Sequence, residues 1–216
     1  MKGSRNSELD PWSEARREMV RTQLRPRGIR DPRVLAAMES VPRHRFVPPA
    51  LVAEAHEDWP LPVGLGQTIS QPYIVAFMAE ALELRESDRV LEVGTGTGYA
   101  AAVLASLVAE LFAIELEAPL CAGAEARLAA LGFQNIHLRC GDGSLGWPEA
   151  APFDAIMLSC AARAVPEALW GQLAEGGRLL LPLGAPFGPQ ELVLIRKEGG
   201  QPHSEALLPV RFVPLR

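Results

Sequence analysis

Residues 88–99 constrain the fold of this chain more than any others. Val90, Leu91 and Val93 read as a short buried strand. The strand runs straight into Gly94, Gly96 and Gly98, and an Ala/Val/Leu-rich helix over 100–108 follows at once. A strand, a glycine turn and a helix in that order present bare backbone to a ligand at the carboxyl end of a parallel strand. Glycine is needed there because a Cβ would obstruct the ligand or the φ/ψ angles of the turn.

The spacing narrows the ligand. A nicotinamide fingerprint needs Gly-x-Gly-x-x-Gly, and Tyr99 stands where its third glycine would be. A Walker phosphate loop needs Gly-Lys-Ser/Thr, which is absent from the chain. Glu92-Val93-Gly94-Thr95-Gly96-Thr97-Gly98 instead resembles motif I of the S-adenosylmethionine (SAM) methyltransferases. That cofactor carries no phosphate, so the loop need not form an anion nest. It must let the methionine part and the ribose pass close to backbone while a carboxylate faces their positive charges. Glu92, Gly94, Thr95, Gly96 and Gly98 are therefore expected to bind the cofactor.

From residue 89 onward the rhythm is strand, helix, strand. Strands are expected over 89–93, 111–116, 135–140, 153–159 and 178–183, with helices over 118–131 and 166–174 between them. The second helix is read as ended by Gly176-Gly177. Two further strands, 191–197 and 205–213, flank a Gly199-Gly200 turn and suggest an antiparallel pair at a sheet edge. The fold class is α/β: a Rossmann-like doubly wound, mostly parallel sheet with antiparallel C-terminal edge strands and an N-terminal helical extension. In that extension helices are expected over 11–24, after the Asp31-Pro32 start, and over 72–84. Residues 50–66 read as irregular and 67–72 as a polar turn. Residues 1–16 are expected to be a mobile tail, and 17–216 a single domain, with a helical substrate module at 17–86 and the cofactor-binding sheet at 87–216.

Composition sets limits. With 48% apolar residues in 216, the chain can bury a full core. A net charge of −5 argues against a general nucleic-acid or membrane-surface binder. No apolar run reaches the roughly 18 residues of a membrane span, and the polar start does not read as a signal peptide. Cys121, Cys140 and Cys160 lack Cys-x-x-Cys spacing and are expected to be reduced core thiols in a cytoplasmic protein. His44, His56, His137 and His203 show no metal-ligand spacing, so no metal is expected. Arg16-Arg17 reads as a solvated helix face, and Trp147 as a residue packed under a loop.

Three more positions suggest chemistry. Glu115 ends the second strand about 20 residues past the first glycine, where doubly wound folds place an acid on ribose hydroxyls. Asp142-Gly143 follows the third strand; Asp142 can accept from an adenine amino group, or can simply shape a turn. Thr68 and Ser70 put two hydroxyls at a helix start. They could hold a carboxylate substrate, or Ser70 could only cap the helix, and spacing leaves both readings open.

A more specific resemblance lies in Gly64-Leu65-Gly66-Gln67-Thr68-Ile69-Ser70-Gln71-Pro72, Val41-Pro42-Arg43-His44-Arg45-Phe46-Val47-Pro48 and Leu208-Pro209-Val210-Arg211-Phe212-Val213-Pro214-Leu215. Together these resemble the protein-L-isoaspartate O-methyltransferases over about residues 17–215. The resemblance implies transfer of a methyl group from SAM, leaving S-adenosyl-L-homocysteine, to the free carboxylate of L-isoaspartyl residues in proteins and peptides. It implies Ser70 as the catalytic residue, with Gln67, Thr68, Ile69, Ser70, the glycine turn, Glu115, Asp142 and Gly143 around the cofactor. It also implies Val210, Arg211, Phe212 and Val213 over the substrate backbone, beside Thr68 and Ser70. The chain departs from the family pattern at Ala100 and at Ser159-Cys160-Ala161-Ala162-Arg163. A monomer is expected, with no nucleic-acid or membrane partner. The rivals are a SAM methyltransferase acting on a small molecule or RNA base, a non-catalytic SAM-binding module, and a nicotinamide oxidoreductase, which the glycine spacing disfavours.

Overall fold

The computed structural model describes residues 10–186 and 188–216. Helix α1 (Ser13–Met19) continues as a π-helical turn, Val20–Leu24, and a 3-10 turn, Arg25–Arg27, before Gly28 ends it at φ 98°. Most of the tail expected over 1–16 lies outside the described residues; the described remainder includes the start of α1. Helix α2 (Pro32–Ser40) begins as its sequence suggests, with Pro32 in the first turn and the Asp31 carboxylate accepting from the Arg33 N–H at 2.8 Å.

The stretch read as irregular holds a hairpin. Strand β1 (Leu61–Gly64) pairs antiparallel with β2 (Gln67–Ile69), so 67–69 is a strand where a polar turn was expected. Gly64, Leu65 and Gly66 make the reversal, all at positive φ. Both strands are too short for an alternating pattern to emerge, and Pro62 interrupts the first. Helix α3 (Pro72–Ala81) follows and stops three residues earlier than expected.

The sheet then assembles. Its strands are β3 (Arg89–Val93), β4 (Glu110–Glu115), β5 (Ile136–Cys140), β6 (Phe153–Leu158), β7 (Leu173–Gly184), β8 (Gln190–Glu198) and β9 (Gln201–Val210). Between them run α4 (Tyr99–Ala105), α5 (Ala118–Ala130) and α6 (Glu167–Gln172). The order is β5-β4-β3-β6-β7-β8-β9, parallel from β5 to β7 and antiparallel at β8 and β9. The chain moves outward from β3 through β4 to β5, then returns to lay β6 on the other side of β3. The carboxyl ends of β3 and β6 therefore flank the switch point, where doubly wound folds open a crevice.

Two expectations at the carboxyl half need correction. Helix α6 ends at Gln172, and Gly176-Gly177 lie inside β7, which starts at Leu173. Strand β9 ends at Val210, so 211–213 leave the sheet edge. The tail instead crosses the end of β6: Ala161 donates to the Val213 carbonyl at 2.8 Å and accepts from Leu215 at 2.8 Å.

Both faces of the sheet are buried, which explains the near-continuous apolar strands. Val90, Leu111, Ala155 and Leu180 face a core shared with α1 to α4, while Leu91, Ile114, Ile156 and Leu179 face α6 and its neighbours. At the sheet's far end the buried pair Asp88–Arg178 closes at 2.5 Å.

Two smaller expectations fail. Arg16 is buried: its guanidinium binds the Glu39 carbonyl at 2.6 Å and Asp10 at 2.6 Å, so only Arg17 sits on a solvated face. Cys121 and Cys140 form a disulfide between α5 and the end of β5, and only Cys160 is a free thiol. Their positions are 19 apart in sequence, and their approach depends on the helix–strand packing, which cysteine spacing does not reveal.

Candidate active site

The glycine turn is anchored before any ligand arrives. The Gly94 and Thr95 N–H groups both donate to the Ile114 carbonyl, at 2.9 and 3.2 Å. Gly96 holds φ +59°, and a Cβ built there would meet nothing within 4 Å, so this part of the turn is bare backbone beside open space. Gly98 serves packing: a Cβ there would sit 3.3 Å from Leu128 of α5.

Glu92 ends β3 beneath that turn. It is fully buried, and its carboxylate accepts from the Thr95 hydroxyl at 3.1 Å and the Ser159 hydroxyl at 3.1 Å. No cation pairs with it among the described residues. Burial, assisted by the nearby Glu115 charge, pushes its pKa up to about 7 against the two hydroxyl bonds. A buried carboxylate without a counter-ion, lining a cavity with Thr95, Gly96 and Thr97, fits a ligand that brings positive charge.

Glu115 is buried at the end of β4. It accepts from the Gly96 N–H at 2.6 Å and the Glu117 N–H at 2.9 Å. Each oxygen keeps a second lone pair for a hydroxyl. It shares a second cavity with Gln67, Gly94, Gly96, Leu116 and Gly143. A Cβ on Gly143 would lie 2.4 Å from Val93 Cγ1, so the backbone there closes directly on β3.

A third and larger cleft, about 520 Å³, opens beside these. Thr68, Ser70, Gln71, Arg27 and Ser159 line it, with Val210, Arg211, Phe212 and Val213 from the chain that leaves β9. Thr68 and Ser159 line all three cavities. Ser70 lines the large cleft and the Glu92 cavity. Ile69 lines the latter as well.

Of the residues singled out from the sequence, all but two line these cavities. Gly98 lies behind the turn, against α5. Asp142 is exposed, and one of its oxygens accepts from the Ser144 N–H at 2.8 Å.

The two readings of Ser70 now separate. Ser70 does not cap α3. The capping position belongs to Gln71, which makes no side-chain cap bond. The carboxylate of Asp58, twelve residues before Ser70, accepts from the Tyr73 N–H at 3.0 Å instead. The Ser70 hydroxyl is thus left facing the cleft without a structural bond of its own.

Two residues escape sequence reasoning. Ser159 follows β6 directly at the switch point and bonds Glu92; the only signal was its departure from the family pattern. Gln190 is buried and holds Phe212 by both backbone groups, accepting from its N–H at 2.7 Å and donating to its carbonyl at 3.2 Å. Nothing at the start of a strand marks such a residue. Cys160 is a buried thiol that burial pushes up to about 12, which disfavours the thiolate.

Comparison with known proteins adds names to this geometry. A model of the family described as protein-L-isoaspartate(D-aspartate) O-methyltransferase matches residues 14–216. A protein-L-isoaspartate O-methyltransferase 2 of Anaeromyxobacter sp. (strain Fw109-5) is 55% identical, covering 100% of this chain and 88% of its own. A protein-L-isoaspartate O-methyltransferase of Methylorubrum extorquens (strain PA1) is 57% identical, covering 98% and 92%. A Plasmodium falciparum structure with the same family description, in complex with S-adenosyl-L-homocysteine, superposes with a TM-score of 0.82 at 25% identity, covering 93% of this chain and 98% of that one. Another solved chain of the same description superposes at 0.84 and 30% identity, and there the match spans 65% of its length.

Proposed function

The chain belongs to the protein-L-isoaspartate(D-aspartate) O-methyltransferase family, and from that premise we propose how its residues divide the work. The protein is a SAM-dependent methyltransferase that esterifies the free carboxylate of L-isoaspartyl residues in damaged proteins and peptides, the step that opens their repair. When bound, SAM supplies a methyl group on a sulfonium.

The observation that carries the assignment of roles is the shared cavity: Ser70 opens on one side to the buried Glu92 and on the other to the large cleft. Glu92 offers its charge to the cofactor's cationic groups, Gly94, Thr95 and Gly96 present backbone to it, and Glu115 accepts from the ribose hydroxyls. Gln67, Thr68, Ile69, Gly143 and the free oxygen of Asp142 complete the cofactor contacts, and Gly98 fixes the turn from behind. Thr68 and the 210–213 backbone hold the isoaspartyl segment.

A substrate carboxyl has an ordinary pKa near 4, so it reaches the site as an anion and needs no general base. The work left to the protein is alignment and dehydration. The Ser70 hydroxyl donates to one carboxylate oxygen and aims the other, and the chain crossing at 210–213 excludes water from the cleft. Ser70 itself forms no bond to the methyl group. The following backbone nitrogen then attacks the released ester without the enzyme, loses its proton and expels methanol to close a succinimide, and hydrolysis of that ring returns part of the material to normal aspartate.

The same reading covers 17–216 as one catalytic domain, with 17–86 as the substrate module, acting as a monomer with no nucleic-acid partner. Among the described residues no helix is long and apolar enough to cross a membrane. We assign the enzyme to the cytoplasm; the Cys121–Cys140 bond bears against this, because disulfides persist mainly in oxidising compartments. Alkylation of thiols before cell lysis decides the point.

The test of function uses labelled SAM and two matched peptides, one isoaspartyl and one aspartyl. A base-labile methyl ester is expected on the first only. Equal labelling, or label that survives base, refutes the assignment.

A further inference from the structure

Ser70 owes its aim to its neighbours, since its hydroxyl bonds nothing among the described residues. Two side chains tie its turn to one irregular segment, 55–59: Arg43, which bonds that segment's carbonyls, and Asp58, which belongs to it. Arg43 is completely buried and has no carboxylate partner among the described residues. Its guanidinium donates to the carbonyls of Ala55 at 2.6 Å and Trp59 at 3.5 Å, and to that of Ser70 at 2.8 Å. It also lies 5.0 Å from the ring centre of Tyr99, the first residue of α4 after the glycine turn. Burying an uncompensated cation is costly, and burial draws this guanidinium down to about 10.

Asp58 lies between those carbonyls in sequence. One of its oxygens caps α3 through Tyr73, and the other pairs with Arg27, whose guanidinium stacks 3.4 Å over the Tyr73 ring. The capping position itself holds Gln71, which is not a capping side chain, so the cap comes from the remote segment. The result is a closed ring: segment 55–59 grips Ser70 from inside through Arg43 and the next helical turn through Asp58.

We propose that Arg43 and Asp58 are positioning residues that hold the Ser70 hydroxyl in line for methyl transfer while leaving it free of any structural bond. Had Ser70 capped α3 itself, its oxygen would be occupied as an acceptor and turned toward the helix. Delegating the cap to Asp58 leaves the hydroxyl to the substrate. The proposal rests on the role given to Ser70 above.

The experiment is a double-mutant cycle. Asp58→Ala, Asp58→Asn, Arg43→Lys and Ser70→Ala are made singly, and the first three are combined with Ser70→Ala. The readouts are kcat, KM for the isoaspartyl peptide, and calorimetric affinity for S-adenosyl-L-homocysteine. Asp58→Ala is expected to lower kcat about tenfold to a hundredfold, the scale of an ångström-level misplacement. Homocysteine-product affinity should change less than twofold. Asp58→Asn keeps an acceptor for Tyr73 and should restore most of kcat. Arg43→Lys keeps the charge but loses the three-carbonyl grip, and should fall with Asp58→Ala. In the Ser70→Ala background all three substitutions should have little further effect.

Equal losses with and without Ser70, equal losses for Asp58→Ala and Asp58→Asn, or a parallel fall in cofactor-product affinity would each overturn the inference. A Ser70→Ala enzyme with wild-type kcat would instead overturn the role of Ser70. If Arg43→Lys does not fold, the Asp58 arm of the cycle suffices to support or overturn the inference.

Discussion

Glu92→Gln should stabilise the protein without its cofactor and weaken the cofactor's grip, and both effects should switch on over the same pH range. The Glu92 carboxyl is fully buried, and its pKa rises from 4.5 to about 7. Below pH 4.5 the group is protonated in both the folded and the unfolded chain and contributes no pH dependence. Between 4.5 and 7 the unfolded chain gives up the proton and the folded chain keeps it, so stability falls as pH rises. Above 7 both are ionised and the full penalty stands. At about 1.4 kcal/mol per pH unit, the span from 4.5 to about 7 amounts to about 3 kcal/mol. Glutamine at 92 never ionises, and the Thr95 and Ser159 hydroxyls can reorient to serve its amide. Urea unfolding of both proteins from pH 5 to pH 8 isolates the effect of Glu92 with its coupling to Glu115, because titrating groups remote from it cancel in the difference. The advantage of Glu92→Gln should grow by about 2.5 kcal/mol across that range, part of the penalty being present already at pH 5, or roughly 5–10 °C in melting temperature for a chain of this size. Cofactor binding should run the other way. Wild-type affinity for SAM should fall about tenfold from pH 8 to pH 6 as the carboxylate is protonated, while Glu92→Gln binds weakly and evenly throughout. A stability difference that stays flat with pH to within about 1 kcal/mol would show that Glu92 is not a strained anion in the folded chain.

Gly96→Ala and Gly143→Ala should fail in different ways. The first adds a methyl group into open space at φ +59°, so calorimetry should show SAM affinity down at least about tenfold, with only a few degrees lost in melting temperature. The second drives a Cβ to 2.4 Å from Val93 Cγ1, so a destabilisation of about 1–3 kcal/mol should appear by urea unfolding before any ligand is added. Asp88→Ala leaves Arg178 buried and unpaired at the far end of the sheet; unfolding should be about 3–5 kcal/mol easier, with SAM affinity unchanged. Breaking the Cys121–Cys140 bond, by reduction or by Cys140→Ser, should cost about 3 kcal/mol from the 19-residue loop it closes, read as a lower melting temperature that further reductant does not change in the variant.

What the sequence discloses follows from how far each residue's partner lies along the chain. The cofactor half was legible because a parallel strand buried on both faces, a glycine turn and a helix are local patterns, and β3 occupies the 89–93 stretch its apolar residues mark out. Glu115 could be named because the crossover from β3 to β4 has a nearly fixed length. The substrate half was legible only through family resemblance. Thr68 and Ser70 carry no spacing signal, and the hairpin that presents them is held by pairing between β1 and β2 that Pro62 hides. The interactions that brace the Ser70 turn were not legible at all, since Arg43 bonds the Ser70 carbonyl from 27 residues away and Asp58 bonds the Tyr73 N–H from 15. Buried Gln190 holds Phe212 from 22 residues away in the same fashion. Arg16 shows the converse error: a charged residue on a helix reads as solvated until α2 presents the Glu39 carbonyl to it. Buried Arg43 and Gln190 and half-buried Asp58 satisfy backbone groups of loops and of a helix start that no ladder reaches. The Ser70 turn and 210–213 line the cleft, and segment 55–59 braces the first of them through Arg43. Among such polar residues, those that brace the loops of the cleft, and not the Asp88–Arg178 pair that locks the far end of the sheet, are the ones to substitute first when the aim is to alter catalysis and leave the fold standing.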